Sequence, residues 1–307
     1  MNSQASATCS RRTFLHSFTV LAAAGMTGCL HSVRSPKVTV GAHPWVYAAT
    51  QPNYDITPVL PRIFEDMSFA GMECIELMHT ALRPPDAVDR IRSLSARHHL
   101  PVIGASFGGA MWDRTQHQAI LNDARVVIPR LQQAGGRTLG VSVGAVKWGS
   151  PVRKTAAQLD AQAELLRELI ALCQQHGITL NLHNHTYEVE NDLHDLKGTL
   201  ERLPGTPLGP DLNWLVRGGV DPIWFIREYG RQIVFLHLRD QGKDGRWSEA
   251  LGEGDMDYSA IAAALREIGF RGDAIIELAH EKDFQPARPL RESLRLSRAF
   301  VRTTFGW

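Results

Sequence analysis

Eight strand-like segments alternate with helix-like stretches from residue 38 to the end of the 307-residue chain. Stretches with helical spacing of apolar residues lie between the segments, as at 156–177, and a last one runs from Pro289 to Phe305. Strict alternation indicates parallel strands joined by right-handed crossovers. Because there are eight such units, the pattern predicts an α/β fold that closes into a single (β/α)8 TIM barrel. The segments cover residues 38–42, 72–78, 101–107, 138–144, 178–184, 207–212, 232–238 and 273–278.

The predicted barrel covers residues 36–307, a length typical of one such domain, and no low-complexity linker interrupts it. The chain has 33 basic and 32 acidic residues and a net charge of +1, without a basic stripe. This balance argues against a nucleic-acid partner and against binding to an anionic membrane surface. Cys74 and Cys173 lie in apolar patterns, which predicts small buried hydrophobic residues, while a disulfide stays open.

Residues 1–30 have the pattern of an export signal and are set apart from the fold. The letters SRRTFL at 10–15 place two arginines before the apolar, uncharged run 16–28, which is too short to span a membrane comfortably. This order predicts export by the twin-arginine pathway and therefore a periplasmic protein. A retained N-terminal membrane anchor is the alternative.

Cys29 closes the apolar run in the letters MTGC, where a bacterial lipoprotein carries its lipidated cysteine. The small residues before Cys29 fit lipidation, whereas Met26 stands where leucine is commoner. Lipidation, with anchoring to the outer membrane, therefore stays open. It would be the only link of the predicted periplasmic protein to a membrane.

Polar side chains recur at the C-terminal ends of the last four strand-like segments, which is where barrel enzymes place their active sites. The fifth segment ends in His183 and His185, which strand alternation directs to the same face. Asp211, His237 and Glu277 follow in the sixth, seventh and eighth segments. Mixed nitrogen and oxygen ligation suits Mn²⁺, Zn²⁺, Co²⁺ or Fe²⁺ better than Ca²⁺. We therefore expect one divalent metal ion, held by His183, Asp211, His237 and Glu277.

Each of these residues taken alone also has an ordinary structural interpretation. A histidine in a strand is often a hydrogen-bonded core residue, and Asp211 would serve as a helix cap before the next helix. Glu277 would serve as one half of an internal ion pair. The recurrence of such residues at four successive strand ends favours the metal site over four separate structural roles.

Four motifs carry a resemblance to a known family, and they occur in order along the mature chain: LHNHTYE, PDLNWLVRGGVDP, VFLHLRD and GEGDMDYSAIAAALREIGFRGDAIIEL. The chain resembles the xylose isomerase-like TIM-barrel superfamily, in its sugar phosphate isomerase/epimerase branch. The resemblance covers essentially the whole mature chain. It implies a metal-dependent enzyme that acts on sugars, and it is specific for the superfamily but not for the substrate.

The ketose 3-epimerases of this superfamily hold their metal with Glu, Asp, His and Glu. Asp211, His237 and Glu277 match the last three, whereas His183 stands in place of the first glutamate. Trp214 stands where those epimerases have a histidine. Because the epimerases use the two metal-bound glutamates as opposing acid and base, His183 puts symmetrical two-base epimerisation in doubt.

Further catalytic candidates come from the resemblance and from the strand ends. The resemblance implies that Glu277 is the base. Glu76 is another polar residue near a strand end, and Lys147, after the fourth segment, would stabilise an oxyanion. The ordinary alternatives are an internal salt bridge for Glu76 and a solvated loop cation for Lys147. Glu188 is predicted to orient a neighbouring histidine or a metal-bound water.

Residues that would contact a sugar lie after several of the segments. Aromatic rings there fit the stacking face of a carbohydrate, although large indoles also cap barrels by packing alone. Arg239 replaces a lysine common in the family and has a structural alternative through Asp240. The predicted substrate contacts are His43, Trp45, Trp112, His185, Trp214 and Arg239.

These observations predict a metal-dependent sugar isomerase or epimerase that removes a proton next to a carbonyl of a sugar or keto-sugar. Elimination or hydration on a 3-keto-glycoside is the alternative on the same site, because it needs only one base and one acid. A carbohydrate-binding lipoprotein without turnover is a third possibility. An endonuclease of the related abasic-site family is disfavoured, because it would need more metal ligands and a basic DNA-binding face.

Overall fold

Seven parallel strands form a nearly closed barrel in the computed structural model, which describes residues 38–150 and 152–307. Counted along the chain, the strands are hydrogen-bonded in the order fifth, fourth, third, second, first, seventh and sixth. The predicted export signal and Cys29 lie outside the described residues. The strands are β1 (Thr39–Ala42), β2 (Cys74–Met78), β3 (Val102–Gly108), β4 (Thr138–Ser142), β5 (Thr179–Leu182), β6 (Phe235–Leu238) and β7 (Asp273–Ile276).

The predicted strand at 207–212 is not a regular strand, so the expectation of eight strands was wrong by one. Leu208 forms single parallel bridges to Leu182 and to Ile233, and Asp211 forms one to His237. The segment therefore lies in the gap between β5 and β6. Its two prolines lack backbone donors, which leaves only isolated bridges where a continuous ladder would need an N–H group at each step. The barrel is thus nearly closed, and the chain direction at this position matches the prediction.

Helices follow most of the strands, as the alternation predicted. Thr155 and Gln158 form a reciprocal capping box at the start of α5 (Ala156–Gln175), and Asp221 caps α8 (Pro222–Tyr229) ahead of a proline in its first turn. The helical backbone of α6 (Thr186–Arg202) is interrupted at residues 190–193. Short 3₁₀ turns lie at 52–54, 57–59, 79–82 and 114–116. The helices are α1 (Trp45–Ala48), α2 (Leu60–Phe69), α3 (Ala87–His98), α4 (His117–Gln133), α5 (Ala156–Gln175), α6 (Thr186–Arg202), α7 (Leu212–Arg217), α8 (Pro222–Tyr229), α9 (Tyr258–Glu267) and α10 (Leu290–Phe305).

The main core consists of apolar residues shared by the strands and the helices, and a smaller cluster is formed by Cys74, Ile103, Phe235 and Ile275. Cys74 and Cys173 are buried free thiols, as predicted for small hydrophobic residues. Among residues 38–150 and 152–307, no helix combines the length and the apolar character needed to cross a membrane.

A glycine of β4 makes room for one polar side chain of the barrel. A β-carbon at Gly140 would lie 3.3 Å from Glu76 Oε1, closer than ordinary van der Waals contact. Glu76 lies in β2 and is fully buried. The small residue on β4 therefore allows a carboxylate to sit beneath the polar groups at the strand ends.

Candidate active site

The four predicted metal ligands lie together at the C-terminal ends of the strands. His183 directly follows β5, His237 lies in β6, and Glu277 directly follows β7. One ligand atom from each of His183, Asp211 and His237 lies within 4.8 Å of the others. Glu277 Oε2 lies 2.7 Å from His237 Nδ1, which places the fourth residue beside these three.

Asp211 caps a helix and faces the site at the same time. Its Oδ1 atom accepts hydrogen bonds from the backbone N–H groups of Asn213 and Trp214, both at 2.9 Å, at the start of α7. The side chain of Asn184 bonds to the backbone of Asp211 in both directions and ties it to the end of β5. Because Oδ1 is used by the cap, Oδ2 is the oxygen left for the site.

His237 lies between two carboxylates that belong to different strands. Its Nε2 atom lies 2.6 Å from Glu76 Oε2, and its Nδ1 atom lies 2.7 Å from Glu277 Oε2. Burial by itself would lower the pKa of His237, but the negative charges of Glu76 and Glu277 outweigh it and raise the pKa to about 10. In the absence of a metal, a proton on His237 therefore balances part of the carboxylate charge.

Arg239 is a buried cation among the same groups. Its Nε atom lies 2.9 Å from Asp211 Oδ2, and its Nη2 atom lies 2.8 Å from Glu277 Oε2. Burial would raise the pKa of Glu277, but the charge of Arg239 holds that pKa well below its usual range. Glu277 is therefore ionised at neutral pH.

The residues of this group fit a divalent cation. The buried atoms His183 Nδ1, Asp211 Oδ2, His237 Nδ1 and Glu277 Oε2 have no hydrogen-bond partner of acceptable geometry, although the two oxygens lie near Arg239 and His237 Nδ1 lies 2.7 Å from Glu277 Oε2. Burial, and then the neighbouring His237 and His185, lower the pKa of His183 well below its usual value, so its ring is neutral as a metal ligand must be.

The charges of the group also favour a cation. Asp211 and Glu277 face the single guanidinium of Arg239, and Glu76 contacts His237, so the group contains an excess of carboxylates over permanently charged cations. A divalent ion would neutralise this excess. His183, Asp211, His237 and Glu277 would hold the ion, and Glu76 would orient the ring of His237 from behind.

His43 lies against the predicted base. Its Nδ1 atom accepts a hydrogen bond from the backbone N–H of Trp45 at 3.1 Å and lies 3.6 Å from Glu277 Oε1. Its Nε2 atom lies 2.9 Å from Ser106 Oγ. Since Nδ1 accepts, Nε2 carries the proton and donates to Ser106. Burial lowers the pKa of His43, so the ring is neutral.

A second polar group surrounds His185. Ser142 Oγ, at the end of β4, lies 3.1 Å from His185 Nδ1 and 2.6 Å from Tyr187 Oη, and it donates to Glu188 Oε1 at 3.1 Å. Glu188 Oε2 accepts the backbone N–H of His185 at 2.7 Å. This network holds the ring of His185 next to His183, at a centroid distance of 4.9 Å.

The pKa values of His185 and Glu188 in this network are shifted toward the neutral forms of the two groups. Burial lowers the pKa of His185 to about 4. Burial, and then the charge of Asp195, raise the pKa of Glu188 to about 8, with Lys154 opposing the shift.

The sequence interpretation included Glu188 as an orienting residue. It did not include Ser142 and Tyr187, although Ser142 at a strand end has the same kind of position as the predicted ligands.

Aromatic rings form a wall next to His185. The ring of Trp214 lies 5.5 Å from that of His185, 6.3 Å from that of Trp148 and 5.6 Å from that of Trp247. Trp148 is 63% exposed, so most of its indole is open to solvent. We name this set of rings, Trp148, Tyr187, Trp214 and Trp247, the aromatic wall.

The remaining predicted residues lie on loops after the strands. Trp45 stacks on Tyr54 at a centroid distance of 5.4 Å, and Trp112 donates its indole N–H to the backbone of Ala145. Lys147 is exposed on the loop after β4. Their contacts with a substrate, and a catalytic role for Lys147, stay predictions.

Arg239 and Asp240 do not form the structural pair considered from the sequence. Asp240 accepts backbone N–H groups of Gly252, Gly254 and Met256, whereas the Arg239 side chain is held by Asp211 and Glu277. A substrate contact for Arg239 stays a prediction.

Comparisons with known proteins agree with the architecture. The family model described as xylose isomerase-like TIM barrel matches residues 64–300. No curated protein sequence matches the chain at a significant level.

Three solved structures share the fold at low sequence identity. A sugar phosphate isomerase/epimerase from Parabacteroides distasonis is 15% identical, with a TM-score of 0.67 over 90% of this chain and 97% of the other. The 3-keto-D-glucoside 4-epimerase from E. coli is 16% identical, with a TM-score of 0.68 over 87% and 100%. An L-ribulose 3-epimerase is 20% identical, with a TM-score of 0.70 over 88% and 95%.

Proposed function

Because the chain belongs to the xylose isomerase-like TIM-barrel family, we propose that it is a metal-dependent sugar isomerase or epimerase that removes a proton next to a carbonyl. The observation that carries the proposal is the ionised Glu277, held beside His183, Asp211 and His237 at the strand ends. This arrangement combines a carboxylate base with residues that fit a divalent cation.

Glu277 is the base in this proposal. Arg239 and His237 both lie against Oε2, while Oε1 faces the neutral ring of His43 at 3.6 Å. Oε1 is therefore the oxygen with the weaker contacts, and we assign it the acceptance of the proton from carbon. A positioned base of this kind typically contributes about 10²–10⁴ in rate. A divalent cation would supply Lewis-acid stabilisation of the enediolate oxygens.

Two further imidazoles lie in the site, beside His237. His183 stands where the resemblance implies a second carboxylate, and His185 lies next to it with its orientation set by Ser142 and Glu188. We assign His185 to binding a substrate hydroxyl or carbonyl oxygen. The aromatic wall beside it offers a stacking face for a sugar ring.

A keto-sugar is the substrate class that we propose. The solved structures with this fold include enzymes named for a 3-keto-D-glucoside and for L-ribulose, both of which carry a ketone. Elimination or hydration on a 3-keto-glycoside is a second candidate, favoured by the histidine at position 183, because that reaction needs one carboxylate base and not two.

Export to the periplasm by the predicted signal at 1–30 is also part of the proposal, with lipidation at Cys29 left open. A twin-arginine signal suits a metal-loaded enzyme, because that route carries proteins that are already folded. A periplasmic location would direct the enzyme to non-phosphorylated sugars or keto-sugars.

The test combines metal analysis with isotope exchange. The purified protein and its Glu277→Gln variant would be dialysed exhaustively, analysed for bound metals, and incubated with ketoses and 3-keto-glycosides in heavy water. We expect about one transition metal per chain in the wild type and exchange of the carbon-bound proton that Glu277→Gln abolishes. Glu281→Gln is the matched control, since Glu281 lies on the loop after Glu277 but pairs with Arg217.

The products separate the remaining alternatives. A rearranged sugar indicates isomerisation or epimerisation, and an unsaturated product or its hydrate indicates elimination. Metal-free protein without exchange, even after reconstitution, would contradict the proposed enzyme and favour a carbohydrate-binding protein.

A further inference from the structure

We propose that Arg239 is a positioning residue that shares Asp211 and Glu277 with the divalent cation. It holds the two carboxylates in place when the ion is absent, and its charge weakens the binding of the ion. The inference rests on the metal-dependent function proposed above. It concerns how tightly the candidate metal site binds the ion and how stable the metal-free protein is. The proposed reaction specifies neither property.

The geometry ties together two parts of the barrel that the sheet does not join directly. Asp211 lies on the segment beside β5 and β6, and Glu277 follows β7. Arg239 contacts the first through Nε at 2.9 Å and the second through Nη2 at 2.8 Å. Because a guanidinium is a rigid planar fork, these two contacts set the separation of the carboxylates.

The side chain of Arg239 is buried, and its guanidinium lies near two indole rings. The side chain is 3% exposed, and its guanidinium carbon lies 5.4 Å from the ring centroid of Trp214 and 5.7 Å from that of Trp247. A buried charge whose counter-ions are all within the protein has no favourable alternative position in the site. The guanidinium is therefore a permanent part of the candidate metal site.

Because of the same contacts, Arg239 and a bound divalent ion would compete for the same oxygen atoms. Asp211 Oδ2 and Glu277 Oε2 are the oxygens that face the centre, and both already lie at ion-pair distance from Arg239. A fixed positive charge beside these oxygens repels a second cation, and the repulsion is weakly screened in a buried site. Ordering of the carboxylates by Arg239 acts in the opposite direction, but the direct repulsion is the larger effect.

The chain contains a matched control for this argument. Arg217 lies over the same two rings, 5.4 Å from Trp214 and 3.9 Å from Trp247, but its charge pairs with Glu281. Arg217→Met therefore removes an arginine from the same aromatic surroundings without removing a contact to the predicted metal ligands.

The experiment measures metal affinity and thermal stability in the full chain. Wild type, Arg239→Met, Arg239→Lys and Arg217→Met would be titrated with Mn²⁺ and Zn²⁺ in competition with a chelator, and Tm would be recorded with and without each ion. We expect Arg239→Met to bind the ions at least tenfold more tightly than wild type. Its metal-free Tm should fall by 5 °C or more, and added metal should restore it. Arg217→Met should change metal affinity less than threefold.

Arg239→Lys keeps the charge but not the rigid fork, so it serves as the conservative variant if Arg239→Met does not fold. We expect it to bind the ions within threefold of wild type, with a partial loss of metal-free Tm. Unchanged or weaker binding in Arg239→Met, or tenfold tighter binding in Arg239→Lys, would overturn this inference alone. Absence of metal binding in the wild type would overturn the proposed metal dependence together with it.

Discussion

The Nε2 atom of His237 lies 2.6 Å from Glu76 Oε2, so a residue of β6 is joined to a residue of β2 across the interior of the barrel. The two residues are 161 positions apart in the chain. A carboxylate behind a metal-binding imidazole fixes its orientation and increases its basicity. Glu76 is thus placed to support His237, and the internal salt bridge and the functional role considered for Glu76 are compatible.

Glu76→Gln should weaken the binding of divalent metal by about 10- to 100-fold, because the imidazole of His237 loses its supporting charge. The same change should lower the pKa of His237 in the metal-free protein. Chelator competition measures the first effect, and NMR titration of the histidine ring measures the second. Glu65→Gln, on an exposed position of α2, is the control. Unchanged affinity in Glu76→Gln would contradict the supporting role.

The metal-free protein should lose stability as the pH rises from about 6.5 to about 10. The pKa of His237 is raised to about 10 in the folded state, compared with about 6.5 in the unfolded chain. The stabilising effect of its proton is therefore fully present below pH 6.5 and is lost as the pH passes the folded pKa. We expect a slope on the order of 1 kcal/mol per pH unit from this group.

Urea unfolding in the presence of a chelator would measure this slope, with Glu76→Gln as the comparison. A slope that is equal in the two proteins would argue against His237 as its source. Metal affinity should change in the opposite direction and increase with pH, because the ion competes with the proton for the imidazole.

Asp211→Asn and Asp211→Ala should separate the two roles of this residue. Asparagine keeps an oxygen that caps α7 but removes the buried charge that pairs with Arg239, so metal binding should be lost and the metal-free protein should be less stable than the metal-free wild type. Alanine removes the cap as well and should cost about 1 kcal/mol more. Chemical denaturation with added chelator compares the three proteins. Equal stability of the two variants would argue against the capping role.

Trp148→Ala should raise KM for the keto-sugar that shows exchange, by roughly 2- to 10-fold, with little change in stability. Its indole is 63% exposed at the edge of the aromatic wall, so it offers a stacking face and contributes little to the core. Steady-state kinetics measure the change in KM, and thermal melting measures the change in stability. Trp224→Ala is the control, because Trp224 is 44% exposed on α8. An unchanged KM would remove Trp148 from the predicted stacking surface.

The alternation of strand-like and helix-like patterns was sufficient to predict the parallel barrel, because apolar periodicity reflects which face of each element is buried. It was also sufficient to group His183, Asp211, His237 and Glu277, since parallel strands of a barrel present their C-terminal ends at one face. The family assignment from the four motifs is confirmed. The exact number of strands was not predicted, because the two prolines at 207 and 210 reduce a strand-like run to isolated bridges.

The partners of the charged groups were decided by the tertiary structure alone. Glu76 meets His237, and Arg239 meets Asp211 and Glu277, through side chains on separate strands. Sequence spacing specifies the face on which a side chain lies, but which of several charges it contacts depends on barrel curvature and on side-chain length. The sequence therefore determined the barrel and the composition of its polar centre, and the packing of the strands determined that a buried arginine lies within that centre.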